Sequence, residues 1–236
     1  MSASRTARER ARAELTREIK EEARRQVAAE GAQGLSLRAV ARQLGMVSSA
    51  VYRYYPSRDS LLTALIIDAY DSLGAAAERA AAALPEADLR GRWRAVCAAV
   101  RAWALAHPHE YALIYGSPVP GYEAPQETIG PAERVAMVIG SLLAGAWAGS
   151  PAMTAGQRLA LVLEPVLARQ ATDLAAAIAP GVPGIVMVRG VIAWTQLFGM
   201  VSFELFGQLV GSVDPSDAFF AAAVEQMADF VGIPAG

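Results

Sequence analysis

The chain has 236 residues, a formal net charge of −2 at pH 7 and a hydrophobic fraction of 54%. A single cysteine, Cys97, excludes an intrachain disulfide, and two histidines, His107 and His109, leave too little for a metal centre; no metal and no cofactor is expected. At about 150 residues per domain the length allows one large domain or two small ones, each able to bury a core without covalent staples.

The near-neutral total conceals an asymmetry. Residues 1–60 carry 12 Lys+Arg against 7 Asp+Glu, and the remainder 9 against 16, so a head of +5 precedes a body of −7. The first 25 residues are dense in Arg and Glu, and no signal peptide is expected from them. The uncharged stretch 135–153 is broken by Gly140, Gly145, Gly149, Ser150 and Pro151, and 190–203 spans only 14 residues. Both fall short of the roughly 20 apolar residues of a spanning helix. They are expected as buried helices of a cytoplasmic protein with no membrane partner.

A first helix is predicted over 8–30, with Leu15, Ile19, Ala23 and Val27 as its buried stripe and Gly31 as its C-terminal cap. Ser36 can cap a short helix over 37–44, whose apolar face is Leu37, Val40, Ala41 and Leu44. After the turn Gly45-Met46-Val47 a second short helix covers 48–54. Pro56 stops it, Ser57 can cap the next, and Asp59 sits where the dipole of that long helix (58–84) favours a carboxylate. Gly and Pro clusters at 85, 108, 116–131, 149–151, 180–184 and 211–215 divide the Ala- and Leu-rich remainder. The result is an all-α protein of about nine or ten helices. Pro165, inside an otherwise helical stretch, predicts a kink.

Two short helices joined by a tight glycine turn in a basic segment read as a helix-turn-helix. In that motif the N-terminal end of the second helix enters the major groove, which places the small residues Ser48, Ser49 and Ala50 there. Arg53, the sole long cation of that helix, can read a base or grip a phosphate. Tyr52 and Tyr54 can each put a hydroxyl on a phosphate while the ring packs, and Tyr55 belongs to the core. Arg38, at the start of the preceding helix, can donate two bonds to guanine. Arg5, Arg8, Arg10 and Arg12 form a basic run that either reaches the adjacent minor groove or remains a solvated tail.

Residues 19–66 closely resemble the DNA-binding domain of TetR-family transcriptional regulators. The resemblance is carried by Glu30-Gly31, by Gly34-Leu35-Ser36-Leu37-Arg38-Ala39-Val40-Ala41-Arg42-Gln43-Leu44-Gly45, and by Ser49-Ala50-Val51-Tyr52-Arg53-Tyr54-Tyr55-Pro56-Ser57-Arg58-Asp59-Ser60-Leu61-Leu62. It implies a helix-turn-helix domain over 1–57 and a larger helical ligand-binding and dimerisation domain over 58–236. It also implies DNA contact by Arg38, Tyr52 and Arg58, the last through the phosphate backbone. Val47 departs from the family, which usually has Ser or Thr there as the helix cap. Valine cannot cap, so Ser48 is expected to take over and start the helix one residue later.

Trp194-Thr195-Gln196-Leu197-Phe198-Gly199 and Ser202-Phe203-Glu204-Leu205 resemble a TetR C-terminal domain type marked by Trp and a His-Gly pair, with Phe198 in place of the histidine. Pro108, Tyr111, the 116–122 segment and Pro131 fit the same type. Candidate ligand residues in the body are Trp103, Tyr111, Tyr115, Trp147, Glu164, Arg169, Trp194 and Phe198, since a largely apolar effector needs aromatic walls and few polar anchors; aromatics on buried helices are more often plain core. Val186, Ile192, Phe203, Phe206, Leu209, Phe219, Phe220, Val224, Met227 and Phe230 exceed the needs of one small core. The resemblance places a dimeric four-helix bundle there, with Gly190 and Gly199 allowing close approach. Cys97 reads as a small buried hydrophobe.

The expected function is that of a homodimeric, cytoplasmic repressor that binds a pseudo-palindromic double-stranded DNA operator and is released by a small-molecule effector; release by ligand is implied by the resemblance alone. The alternatives are a ligand-dependent activator, or a dimeric ligand-binding protein with weakened or no DNA binding, a reading that Val47 motivates. An enzyme is not expected, because no nucleophile–base pair or metal cluster is legible.

Overall fold

The computed structural model describes residues 2–149, 163–213 and 216–235, with side chains described from residue 7 onward. Among these residues there are ten α-helices and two 3-10 turns, and no strand. They group into two compact units, one of residues 1–70 with 107–131, the other of 71–106 with 132–236. The 57/58 boundary implied by the resemblance falls inside the first unit.

In the first unit, α1 (Ser2–Glu30) begins six residues before its expected start. Residues 2–8 contain Ala, Arg, Ser and Thr but no Gly or Pro, so nothing in the backbone stops the helix from running back to Ser2. Ile19 and Ala23 are fully buried and Val27 nearly so. Gly31 follows, its N–H donating to Val27 O at 2.9 Å. Then come a 3-10 turn (Ala32–Gly34), α2 (Leu37–Gln43) and α3 (Ser48–Tyr52). Next is α4 (Arg58–Ala82), which Ser57 and Ser60 cap reciprocally: Ser60 N–H donates to Ser57 Oγ at 3.0 Å, and Ser57 N–H to Ser60 Oγ at 3.1 Å. Leu61, Leu62, Leu65 and Ile66 of α4 complete the apolar core around α1, α2 and α3. Later in the chain His107 leads into another helix of this unit, α6 (Pro108–Tyr115), whose N1 position holds Pro108. Leu113, Ile114 and the loop residues Val119 and Tyr122 pack on the same core, and Tyr122 Oη lies 2.9 Å from Thr63 Oγ1.

The second unit holds residues 71–82 of α4, α5 (Leu89–Ala106), α7 (Ile129–Gly149) from residue 132 onward, α8 (Pro165–Ile178), α9 (Gly184–Leu205) and α10 (Ser216–Val231). Pro165 does not kink a helix. It occupies N1 of α8, where its missing N–H costs nothing, and Glu164 caps that helix by accepting from Val166 N–H at 3.1 Å. Trp93 of α5 is fully buried and donates its indole N–H to Val224 O at 3.0 Å. Cys97 is also fully buried, and burial pushes its thiol well above the ordinary range. Arg101 bridges α9 and α10 through Glu204 and Asp217, each at 2.6 Å. Gly190 meets Leu143 of α7 so closely that an added Cβ would lie 2.5 Å from Leu143 Cδ1, so this glycine serves a contact within the chain. Apart from its chain neighbours and the backbone of its own helix, none of the described atoms lies within 4 Å of the corresponding point at Gly199.

By length and hydropathy alone, Arg58–Ala82, Gln126–Ala148 and Gly184–Leu205 are long and apolar enough to cross a membrane. Half of the apolar window of the first and third, and a third of that of the second, is buried inside the protein. The first had not stood out in the sequence, because Asp68 and Asp71 interrupt its uncharged run. Residues 150–153 of the uncharged 135–153 stretch lie outside the described residues.

Arg90 is 6% exposed and donates to Ile233 O at 2.9 Å and Glu225 O at 3.2 Å, while pairing with Glu225 and Asp229. Hydrogen bonds from Arg94, then from Arg90, hold the Glu225 carboxyl down to about 2 against the opposing effect of burial. An unfolded Glu protonates near pH 4.3. The contribution of Glu225 to stability is therefore complete above that pH and lost as the pH falls toward 2. Urea unfolding followed from pH 5 down to about pH 2 should show falling stability, and Glu225→Gln should flatten part of that slope.

Candidate nucleic-acid interface

The helix-turn-helix is held from beneath. Leu37, Val40 and Ala41 of α2 and Val51 of α3 are buried against α1 and α4. Ser36 caps α2, accepting from Ala39 N–H at 3.4 Å, while its own N–H donates to Gln26 Oε1 of α1 at 3.3 Å. In the turn, Met46 N–H donates to Ala41 O at 2.8 Å and Gly45 has φ +66°, a left-handed conformation that favours glycine. The chain thereby reverses in three residues.

The expected cap at Ser48 is not found. Val47 is the N-cap of α3, with φ −71° and ψ 139° and no side-chain hydrogen bond, and its carbonyl accepts from Ala50 N–H at 2.9 Å. Burial of Val51 fixes the rotation of α3, and the Met46–Ala41 bond fixes where the turn ends. A later start would disturb both in exchange for one side-chain bond. Extended backbone at position 47 suits a β-branched residue.

The outward faces carry the predicted DNA-binding residues. Arg38, Ser49, Tyr52 and Arg53 are exposed; Ser48, Ala50 and Tyr54 are half-buried. Among the described residues, Arg38 and Arg53 make no ion pair, and neither does Arg42, which the sequence reading had not singled out. Its i,i+4 spacing from Arg38 puts both cations on one face of α2, a signal that was available in the sequence. Arg58 is engaged within the fold: it donates to Ala32 O at 2.8 Å and pairs with Asp59 at 3.2 Å. Tyr54 and Tyr55 pack on the core, and the guanidinium of Arg12 lies 5.7 Å from the Tyr54 ring centroid. The basic run thus continues α1 as helix, with Arg8, Arg10 and Arg12 exposed along it. The side chain of Arg5 lies outside the described residues.

The candidate ligand residues fall in both units, Tyr111 and Tyr115 in the first and the others in the second. Trp194 lines a cavity of about 190 Å³ with Ala136, Ile139, Gly140 and Leu143 of α7, Ile178 of α8, and Met187, Gly190 and Val191 of α9. Phe198 is buried beside it, the two ring centroids 5.1 Å apart. Trp147 packs against Ala175, Ala179, Val182 and Val186. Trp103 is buried and donates its indole N–H to Ser72 Oγ at 2.9 Å. Tyr111 and Tyr115 belong to the first unit, with centroids 5.2 Å apart, and burial foremost pushes the Tyr115 hydroxyl upward. Glu164, the N-cap of α8, and Arg169 within it are both exposed.

The expected interface residues divide likewise. Val186, Phe220, Val224 and Met227 are buried inside the chain, whereas Ile192, Phe203, Phe206 and Phe219 are exposed at 38–57%.

Comparison with known proteins agrees with this architecture. The family profile for bacterial regulatory proteins of the tetR family matches residues 19–65, and the tetracyclin repressor-like C-terminal domain profile matches residues 93–227. The chain belongs to the TetR family. It is 40% identical over 224 residues to the HTH-type transcriptional regulators Rv1816 of Mycobacterium tuberculosis and Mb1846 of Mycobacterium bovis, covering 89% of this chain and 90% of each relative. The crystal structure of SCO4313, described as a regulatory protein, superposes with a TM-score of 0.76 at 34% identity, covering 94% of this chain and 98% of that one. The TetR-family regulator PfmR of Thermus thermophilus shares the fold, with a TM-score of 0.53 over 92% and 99% of the two chains at 17% identity. This TetR-family protein is a DNA-binding transcriptional regulator whose helix-turn-helix is α2–turn–α3.

Gly45→Ala, which forces a Cβ into the left-handed region, should lower stability by about 1 kcal/mol, measured as a fall in the urea midpoint at unchanged m-value.

Proposed function

We propose that the protein is a homodimeric repressor that a small, largely apolar effector releases from a pseudo-palindromic operator in the cytoplasm. Residues 1–57 act as the DNA-binding domain and 58–236 as the ligand-binding and dimerisation domain. The observation that carries the DNA side is the exposure of Arg38 and Arg53 without carboxylate partners beside the small residues Ser48, Ser49 and Ala50. Tyr52, Tyr54 and Arg58 grip the backbone, and phosphate contacts set register while base contacts set sequence. Two heads held about 34–36 Å apart meet successive major grooves.

The exposed Ile192 and Phe203 of α9, Phe206 at its C-terminal cap and Phe219 of α10 support a dimer interface, because several large apolar side chains of these two neighbouring elements are left at the surface. The cavity beside Trp194 supports an apolar effector site in the second unit, with Phe198 stacked on Trp194 as aromatic support; Trp103, Tyr111, Tyr115, Trp147, Glu164 and Arg169 remain ligand candidates outside its lining. An effector that binds one conformation better shifts α4, a single helix whose residues 58–70 belong to the first unit and 71–82 to the second. Head spacing changes, and the coupling is equal in both directions.

Electrophoretic mobility shift with DNA flanking the protein's own gene tests the repressor reading. Wild type should give a sequence-selective, salt-sensitive shift. Arg38→Ala or Arg53→Ala should lose about 1–3 kcal/mol at specific sites, and Tyr52→Phe should weaken binding to all sequences alike. Absence of a selective shift would sink the reading. For the effector site, neutral aromatic probes such as benzene and indole should raise the Tm of wild type and leave that of Ala136→Phe, which fills the cavity, unchanged.

A further inference from the structure

We propose that Val47 reads sequence: its isopropyl group packs on the 5-methyl group of a thymine in the major groove. The inference rests on α3 being the helix that enters that groove. Val47 is 71% exposed, while its apolar neighbours in the same turn, Leu44 and Met46, are drawn onto the core. Its side chain makes no capping bond, so it serves neither the core nor the start of α3. The residues that follow, Ser48, Ser49 and Ala50, are short, so nothing long at this end of α3 holds the turn away from base edges.

The chemistry of the groove supplies the partner. Of the four bases, thymine alone presents a methyl group there, and an apolar side chain separates it from cytosine. Arginine at 38 or 53 favours guanine acceptors and contributes no such preference. An exposed valine in the turn of a helix-turn-helix therefore adds discrimination that the polar residues around it cannot, and it turns the absent cap into a readout.

The test uses the full chain and the duplex it selects from a randomised pool. Each thymine of that duplex is replaced in turn by uracil, which removes the methyl and leaves the pairing edges intact. At one thymine position, uracil should weaken wild-type binding about fourfold, the equivalent of one unburied methyl. Val47→Ser should lose sensitivity to uracil at that position alone and keep the rest of the profile. Serine is a strong N-cap residue, so its melting temperature should equal or exceed that of wild type, which separates lost contact from lost fold. Val47→Ala should lose the same sensitivity. A flat uracil profile in wild type, or an unchanged profile in Val47→Ser, overturns the proposal. Failure to select any sequence overturns it too, and that outcome alone also removes α3 as the recognition helix.

Discussion

The burial of Val51 is what the rest of the DNA-binding surface depends on. α3 has five residues, too few to hold a helix in water by its own hydrogen bonds. Its N-cap contributes no side-chain bond, so the usual local support is also missing. What remains is packing: Val51 is fully buried with Val40 and Ala41 against Ile19, Leu61 and Leu62. Burying a valine contributes about 1.5–3 kcal/mol, enough to orient one and a half turns of helix. Once Val51 points inward, 3.6-residue geometry sends Ser49, Tyr52 and Arg53 outward.

Charge is sorted by pairing as well as by number. In the body, Arg94, Arg101 and Arg134 each lie on carboxylates, and Arg90 lies on both carboxylates and backbone carbonyls. These arginines hold helices together and present little free positive charge. Arg38, Arg42 and Arg53 lack carboxylate partners among the described residues. Elsewhere in the head Arg17, Lys20, Arg24 and Arg25 are paired as well, so the unpaired positive charge offered to phosphate is concentrated on α2 and just after α3, while the body carries an excess of acid that disfavours contact with DNA. Pairing of this kind cannot be counted from composition.

Much of the head was legible because its determinants are local. The stripe of α1, the caps at Ser36 and Ser57, the left-handed Gly45 and the stop at Pro56 each act within a few residues. Val47 and Pro165 show where local reading fails. A missing hydroxyl suggested a shifted helix, yet Val51 and the Met46–Ala41 bond held the register. A proline in an apolar, Ala-rich stretch suggested a kink, yet proline serves equally well as the first residue of a new helix. The apolar residues of α9 and α10 show the same limit: periodicity marks a face as apolar without saying whether this chain or another covers it.

The sequence by itself determined the all-α class, the helix-turn-helix with its glycine turn, the basic head on an acidic body, and the family, because these follow from short-range patterning and spacing. The tertiary structure alone decided which arginines are left without a carboxylate, that Gly190 faces Leu143, that Trp194 borders a cavity, and which phenylalanines stay exposed. Those outcomes depend on side chains brought together from distant positions, such as Arg101 with Glu204 or Trp93 with Val224. Long-range packing sets them, and no local propensity encodes which partners meet.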